Sequence, residues 1–167
     1  TVCKTIWYRT EVGDTQEGTR DLKSVFGKAG MFTNPKPIRL INRILDIASK
    51  NNSIVLDFFA GSGTTGHALL KYNAEHADSK RQFILCTNNE NDICRNVTYE
   101  RIKRVIANEG YNASLKYFRV GYIPITDRMY YEYADELLLH VRELVELENG
   151  INFTGNAEIA IILSEEE

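Results

Sequence analysis

A glycine-rich stretch at residues 57–66 holds the residue types of this sequence that are best suited to binding chemistry. Gly61, Gly63 and Gly66 have the spacing G-x-G-x-x-G, which is a weak signal alone and gains weight between a strand and a helix. Glycines let the backbone turn sharply and let a ligand approach closely. Unpaired N–H groups at a helix start favour an anionic group nearby. The stretch therefore predicts a ligand-binding loop.

Three kinds of ligand are bound by loops of this kind. A triphosphate-binding loop needs a lysine after its last glycine, whereas His67 follows Gly66 here, so a nucleoside triphosphate is disfavoured. A dinucleotide site would place an acidic residue about 20 residues beyond the loop, and Glu90 lies near that distance. The third ligand is S-adenosylmethionine, which offers an amine and a carboxylate in place of a pyrophosphate.

The residues around the glycines suit S-adenosylmethionine better than a dinucleotide. Asp57 could bind the amino group of the cofactor or hold the loop, and Phe58 and Phe59 could supply an apolar wall. Thr64 and Thr65 could donate hydroxyl hydrogen bonds to the cofactor or cap the following helix. The alternative for this group is purely structural, because a carboxylate can cap a loop and aromatic side chains often belong to the core.

Alternating strands and helices must position this loop. Apolar residues at helical spacing follow Pro37, and short apolar runs lie on either side of the loop and its helix. The predicted order is a helix over residues 37–49, a strand over 53–58, the loop with a helix through 67–70, a strand over 82–87 and a helix over 93–108. Such a βαβα order predicts a parallel sheet, and hence an α/β fold.

The flanking regions carry weaker signals. Residues 1–30 predict a long loop with one short helix near 22–26, residues 115–125 predict a strand or two, and residues 130–148 predict one amphipathic helix before a last strand at 158–163. The expected division is therefore 1–33 as a loop leading into the domain, 34–126 as the cofactor-binding part, and 127–167 as a C-terminal extension of helix plus strand.

Composition bounds the function. The 167 residues carry a net charge of −3, so contact with DNA must come from a local basic patch or from protein outside this sequence. The three cysteines form no CxxC pair or zinc pattern, which fits a reducing cytoplasm. No signal peptide or long apolar segment indicates secretion or a membrane. The ends of the sequence suggest a fragment of a longer protein.

Several motifs in order resemble the amino-DNA methyltransferases. Residues 57–68 resemble their cofactor motif, and Asn34-Pro35-Lys36-Pro37 with its helix resembles the motif just upstream of it in the beta class. Residues 83–86 and 100–106 also fit. Residues 133–135 and 143–148 resemble the C-terminal region of the methylase subunits of type III restriction–modification systems. The resemblance covers about residues 24–167 and is far more specific than the glycine loop alone.

The resemblance implies a permuted, Rossmann-like methyltransferase fold, incomplete in this sequence. It implies transfer of a methyl group from S-adenosylmethionine to the exocyclic amine of adenine in double-stranded DNA, with the target base flipped out of the helix. A restriction subunit and a homodimer are the further partners it suggests. The catalytic Asp-Pro-Pro-Tyr motif is absent, since the three prolines are Pro35, Pro37 and Pro124. No catalytic residue is therefore predicted here, and the fragment alone should be inactive.

The resemblance also implies the residues of the cofactor site. Many relatives end the second strand with an acidic residue for the ribose, and here Asn88 or Glu90 would take that place. Lys36 would either face the cofactor carboxylate or lie in solvent. The predicted cofactor-binding residues are Asn34, Pro35, Lys36, Pro37, Asp57, Phe58, Phe59, Ala60, Gly61, Ser62, Gly63, Thr64, Thr65, Asn88 and Glu90.

The sequence leaves two alternative functions open and contains one basic helix. The alternatives are a dinucleotide-dependent oxidoreductase half-domain and a non-catalytic module that assembles with another subunit. The basic side chains of the helix over 93–108 predict a solvated face, with phosphate contact as the alternative; they are Arg95, Arg101, Lys103 and Arg104. His67 is predicted to be a surface or packed residue of its helix.

Overall fold

The computed structural model of this chain describes residues 3–123 and 130–152. The chain forms two compact units, Thr1–Tyr117 and Phe118–Glu167. In the first unit the elements are α1 (Arg9–Val12), α2 (Thr15–Phe26), α3 (Ile38–Ala48), β1 (Ile54–Asp57), α4 (Thr64–Glu75), β2 (Gln82–Leu85), a 3-10 turn (Glu90–Asp92), a π-helix (Cys94–Tyr99) and α5 (Glu100–Glu109). In the second unit they are α6 (Tyr130–Leu138) and α7 (Val141–Asn149).

The two strands form a parallel sheet, as their order along the chain predicts. Ile54 lies opposite Gln82, and Asp57 lies opposite Leu85. The backbone N–H of Cys86 donates to the carbonyl of Asp57 at 2.8 Å, so pairing extends to the carboxyl edge of the sheet. Helices packed on a small parallel sheet confirm the predicted α/β class at this coarse level.

One face of β1 is exposed, although a short apolar run of this kind is typical of a buried strand. Ile54 and Leu56 are 63% and 48% exposed. On β2, Phe83 and Leu85 pack against a cluster formed by α4 and α5. Within the described residues, the helices therefore cover only one face of this parallel sheet, whereas parallel sheets generally have both faces covered.

Two apolar clusters place the helices around the glycine loop. The first joins α2 to the π-helix through Leu22, Phe26 and Val97, with Phe32 packed against it. The second joins α4 to α5 through Leu70, Ile102 and Val105. The two clusters share Val25 of α2, which packs against both of them.

The predicted long loop over residues 1–30, with one short helix near 22–26, is wrong for residues 9–12 and 15–26, which are helical. A full helix, α2, spans Thr15–Phe26 because its ends are well capped. The Asp14 carboxylate accepts from the Glu17 N–H at 2.9 Å, and Gly27 ends the helix in a left-handed conformation with φ of 72°. An acceptor three residues before a glutamate is a sequence signal for a helix start, and the glycines nearby masked it.

Three predictions about the C-terminal half have different outcomes. No strand forms in residues 115–123, so that part of the predicted strand region is wrong. The single helix predicted over 130–148 is two helices, α6 and α7, because His140 leaves the helical region with φ of −112° and ψ of 5°. The strand predicted at 158–163 lies outside the described residues, and the three-part division of the chain stays a prediction.

Candidate cofactor-binding site

The glycine loop connects the carboxyl end of β1 to the start of α4. Its backbone crosses to the neighbouring strand, since the Ala60 N–H donates to the Cys86 carbonyl at 3.0 Å. Gly61 and Gly63 adopt φ of 49° and 73°, a left-handed conformation that other residues adopt at a cost. An added Cβ at Gly61 would lie 3.0 Å from the Phe32 ring. Both glycines are thus required by the path of the chain.

The carboxylate of Asp57 holds this loop in place. One oxygen accepts from the backbone N–H of Phe59 at 3.0 Å, and the other accepts from the hydroxyl of Thr65 at 2.6 Å. The strand end, the loop and the first turn of α4 are therefore tied to one side chain. Asp57 was predicted either to bind the amino group of the cofactor or to hold the loop, and its hydrogen bonds are those of a residue that holds the loop.

The Asn-Pro-Lys-Pro turn packs against the loop from the other side. Asn34 has a left-handed φ of 57°, Pro35 is fully buried, and the Lys36 side chain is exposed. The Lys36 carbonyl accepts from the Thr64 hydroxyl at 3.2 Å. This bond joins the two motifs that the sequence predicted to act together.

Helix α2 fixes that turn through a close approach of two backbones. A Cβ added at Gly18 would lie 2.2 Å from the Pro35 carbonyl oxygen and 2.8 Å from the Lys36 carbonyl carbon. No real Cβ tolerates a backbone atom at such a distance, so Gly18 is what allows α2 to lie against the turn. The sequence prediction of a loop in this region gave no sign of this contact.

A buried arginine lies behind the loop. Arg101 of α5 is fully buried, and its Nη1 donates to the Thr64 hydroxyl at 2.9 Å and to the Ser62 carbonyl at 3.2 Å. The expectation of a solvated position is therefore wrong for Arg101. Arg101 lies four residues from both Val97 and Val105, on the inward stripe of the helix, and this spacing was the signal that could have identified it.

The other predicted basic residues lie outside this network. Arg95 and Lys103 are exposed. Arg104 pairs with Glu100 at 2.7 Å and lies over the Phe26 ring, 4.9 Å from its centroid. The predicted solvated position is thus confirmed for Arg95 and Lys103, whereas Arg104 is half-buried, and phosphate contact stays a prediction.

His67 extends the network from Arg101 to the surface. Its Nδ1 accepts from the Arg101 Nε at 3.3 Å, and its Nε2 lies 3.4 Å from a carboxylate oxygen of Glu109. Burial lowers the pKa of His67 to about 4, and the Arg101 charge acts in the same direction. The ring is therefore neutral at physiological pH and carries its proton on Nε2, towards Glu109. His67 is a packed residue, one of its two predicted settings.

Burial also lowers the pKa of Arg101, to about 10. The guanidinium thus stays charged at neutral pH. Within the described part of the chain, its Nη2 is buried without a hydrogen-bond partner. The charge is balanced by oriented hydroxyl and carbonyl dipoles and by the more distant carboxylate of Asp21.

An open pocket of about 290 Å³ lies in front of the loop. Its walls are mainly apolar, although Phe58 and Phe59 are 63% and 93% exposed. The lining residues are Phe32, Phe58, Phe59, Gly61, Thr87, Asn88 and Ile93. Four of these belong to the predicted site, and Phe32, Thr87 and Ile93 were missed because their positions depend on tertiary packing.

The segment after β2 forms the far wall of the pocket and has an unusual backbone. Asn89, Asn91 and Asp92 have φ of 54°, 51° and 58°, a conformation that costs free energy in residues other than glycine. Such backbone strain is concentrated at functional sites in proteins. Asn88 lines the pocket, whereas Glu90 is exposed and does not.

The predicted cofactor residues thus separate into three groups. Phe58, Phe59, Gly61 and Asn88 face the pocket. Asp57, Ser62, Gly63, Thr64 and Thr65 shape the loop from behind, and Ala60 pairs its backbone with β2. The turn formed by Asn34, Pro35, Lys36 and Pro37 is joined to Thr64 through the Lys36 carbonyl. Glu90 is the one predicted residue that the structure leaves apart from both the pocket and the loop.

Across residues 3–123 and 130–152, no group of three or more His, Cys, Asp or Glu side chains could hold a metal ion. Among the helices of the same residues, none has the length and apolar character needed to cross a bilayer.

Comparison with known proteins identifies the family of this chain. A sequence model of the DNA methylase family matches residues 1–99. The Mod subunit of the type III restriction-modification enzyme StyLTI from Salmonella typhimurium is 38% identical over 112 residues, which cover 60% of this chain and 17% of the relative. The Mod subunit of the type III enzyme EcoPI from Escherichia phage P1 is 44% identical over 87 residues, covering 52% and 13%.

A type II methyltransferase, M.KpnI from Klebsiella pneumoniae, is 34% identical over 74 residues, covering 44% of this chain and 18% of the relative. The chain thus spans less than a fifth of the length of each of these curated relatives. The predicted resemblance to type III methylase subunits is confirmed. The matched residues include the turn, the loop and the pocket wall, and the chain belongs to the DNA methylase family.

Proposed function

We propose that this chain is the S-adenosylmethionine-binding part of a site-specific DNA methyltransferase. The full-length protein would transfer a methyl group to the exocyclic amine of adenine in double-stranded DNA, in the cytoplasm and within a type III restriction–modification system. The observation that carries the proposal is the glycine loop, which is held between the Asn-Pro-Lys-Pro turn and α5 and opens onto an apolar pocket.

The residues present fit S-adenosylmethionine. The aromatic and aliphatic lining of the pocket suits a purine, and Asn88 could hydrogen-bond the ribose at its edge. At the inner side, the Phe32 ring lies close to Gly61, since a Cβ added there would be 3.0 Å from that ring. The exposed amine of Lys36 suits the cofactor carboxylate. The pocket is thus apolar where the purine would lie, and the nearby turn offers a cation.

The residues of this chain bind and orient the cofactor in this proposal. S-adenosylmethionine would supply the activated methyl group. Asp57 keeps the loop in shape through Phe59 and Thr65. Phe58 and Phe59 present exposed rings that a bound cofactor would cover. A carboxylate that holds the loop with both oxygens is a support for the cofactor rather than an acid or base in the reaction.

The complete sheet, the catalytic motif and the partners of the full-length protein are part of the same proposal. The sheet of two parallel strands is expected to be part of a larger, permuted Rossmann-like sheet. Base recognition and the catalytic Asp-Pro-Pro-Tyr motif would lie in protein outside residues 1–167. The similarity to Mod subunits supports a restriction subunit as a partner, and a homodimer is a further expectation.

Titration with two cofactors and a methylation assay test the proposal. The full-length protein should bind S-adenosylmethionine in calorimetry and leave NADH unbound at millimolar concentration. It should also transfer tritiated methyl groups to adenine in DNA duplexes. Binding of NADH in place of S-adenosylmethionine would favour a dinucleotide-dependent enzyme, although Glu90, its expected ribose ligand, lies outside the pocket lining.

A further inference from the structure

The buried guanidinium of Arg101 is the strongest feature that the proposed function does not use. Its Nη1 donates to the Thr64 hydroxyl at 2.9 Å, and the same hydroxyl donates to the Lys36 carbonyl at 3.2 Å. The Ser62 carbonyl accepts from the same Nη1 at 3.2 Å. One cation thus orients the loop and, through a single hydroxyl, the turn that carries Lys36.

Packing alone does not account for an arginine at this position. Arg101 lies on the same inward stripe as Val97 and Val105, where an unbranched apolar side chain would fill the space. A buried charge costs free energy, and its replacement by an apolar side chain of similar size is often neutral or stabilising. In return, hydrogen bonds from a charged fork fix the directions of their acceptors. A buried arginine at this position is therefore explained if the directions of its acceptors matter for ligand binding.

We propose that Arg101 is a positioning residue that sets the spacing between the Asn-Pro-Lys-Pro turn and the glycine loop, and thereby the affinity for the amino-acid end of the cofactor. The inference rests on the proposed function. Arg101 acts through Thr64 and Lys36, because it is fully buried and cannot reach a ligand in the pocket. The apolar part of the pocket, around Phe58 and Ile93, lies outside this network.

This division of the site predicts a selective defect. Calorimetry on the full-length protein would compare S-adenosylhomocysteine with 5′-methylthioadenosine, which lacks the amino-acid end. In Arg101→Met, affinity for S-adenosylhomocysteine should fall by about tenfold or more, because hydrogen bonds from a charged group are lost. Affinity for methylthioadenosine should fall by less than about threefold. Arg101→Lys should recover part of the loss, because it keeps the charge without the fork.

Lys103→Met is the matched control, since Lys103 lies on the same helix and is exposed. It should leave both affinities unchanged. Thr64→Val removes the bridging hydroxyl and keeps Arg101, so it should reproduce the selective loss even if Arg101→Met fails to fold.

Two results would overturn the inference while leaving the proposed function intact. One is that the wild-type protein binds S-adenosylhomocysteine and a folded Arg101→Met or Thr64→Val protein binds it with the same affinity. The other is an equal loss for both ligands, which would indicate general destabilisation. Absence of S-adenosylhomocysteine binding by the wild-type protein would overturn the proposed function and this inference together.

Discussion

The burial of His67 predicts a specific loss of stability in mild acid. The pKa of the folded-state ring is lowered from 6.5 to about 4 by burial and by Arg101. The folded protein therefore keeps the ring neutral over a range in which the unfolded chain binds a proton. The contribution to stability is complete above pH 6.5 and is lost as the pH falls from 6.5 towards 4.

The magnitude follows from the two pKa values. The full difference between 6.5 and about 4 corresponds to roughly 3 kcal/mol in the free energy of unfolding. Between about pH 7.5 and about pH 5, the expected loss from this one group is about 2 kcal/mol. That is a large share of the stability of an ordinary domain, so it should be measurable beside the effects of other groups.

The assay is urea unfolding of the full-length protein at the two pH values, compared with His67→Asn. The asparagine amide oxygen can accept from Arg101 where the Nδ1 did, and it does not titrate. The pH-dependent loss should therefore shrink by about 2 kcal/mol in this variant. His76→Asn, at an exposed histidine, should leave the wild-type dependence unchanged. An undiminished dependence in His67→Asn would refute the account of this network.

Two other substitutions test the site from different sides. Gly18→Ala should destabilise the protein by about 1 kcal/mol or more, as at an overpacked site, because the added Cβ would meet the Pro35 carbonyl. It should also weaken cofactor binding. Thermal melts should show no destabilisation in Gly121→Ala, where the added Cβ lies in open space, and its cofactor binding should be unchanged. Asn88→Ala should weaken S-adenosylmethionine binding in calorimetry, and Glu90→Ala should not; the opposite result would place the ribose ligand at Glu90.

Local patterns in the sequence were enough to predict the elements around the loop. The strands and helices from α3 to α5 have clear apolar periodicity, and the glycines mark the turn between β1 and α4. Local periodicity predicts these elements because each of them buries one apolar face, which leaves a regular spacing of apolar residues in the sequence. The identity of the ligand was predicted from the resemblance to a family, because the spacing of the glycines alone is compatible with both a dinucleotide and S-adenosylmethionine.

Tertiary packing accounts for what the sequence predictions missed. Phe32 lies on the loop because α2 and the turn bring it there, and no local pattern marks it. Arg101 is one of several cations of its helix, and only its place on the stripe with Val97 and Val105 distinguishes it as buried. Helix α2 was masked by Gly18, a residue whose presence is explained only by its contact with Pro35.

The most direct test of the central claim is the affinity of the full-length protein for S-adenosylmethionine when the loop is released. Asp57→Ala removes both hydrogen bonds that shape the loop, and calorimetry should show affinity lower by about tenfold or more. Asp78→Ala, at an exposed carboxylate, should bind like the wild type. Unchanged affinity in a folded Asp57→Ala protein would contradict the claim that this loop holds the methyl donor.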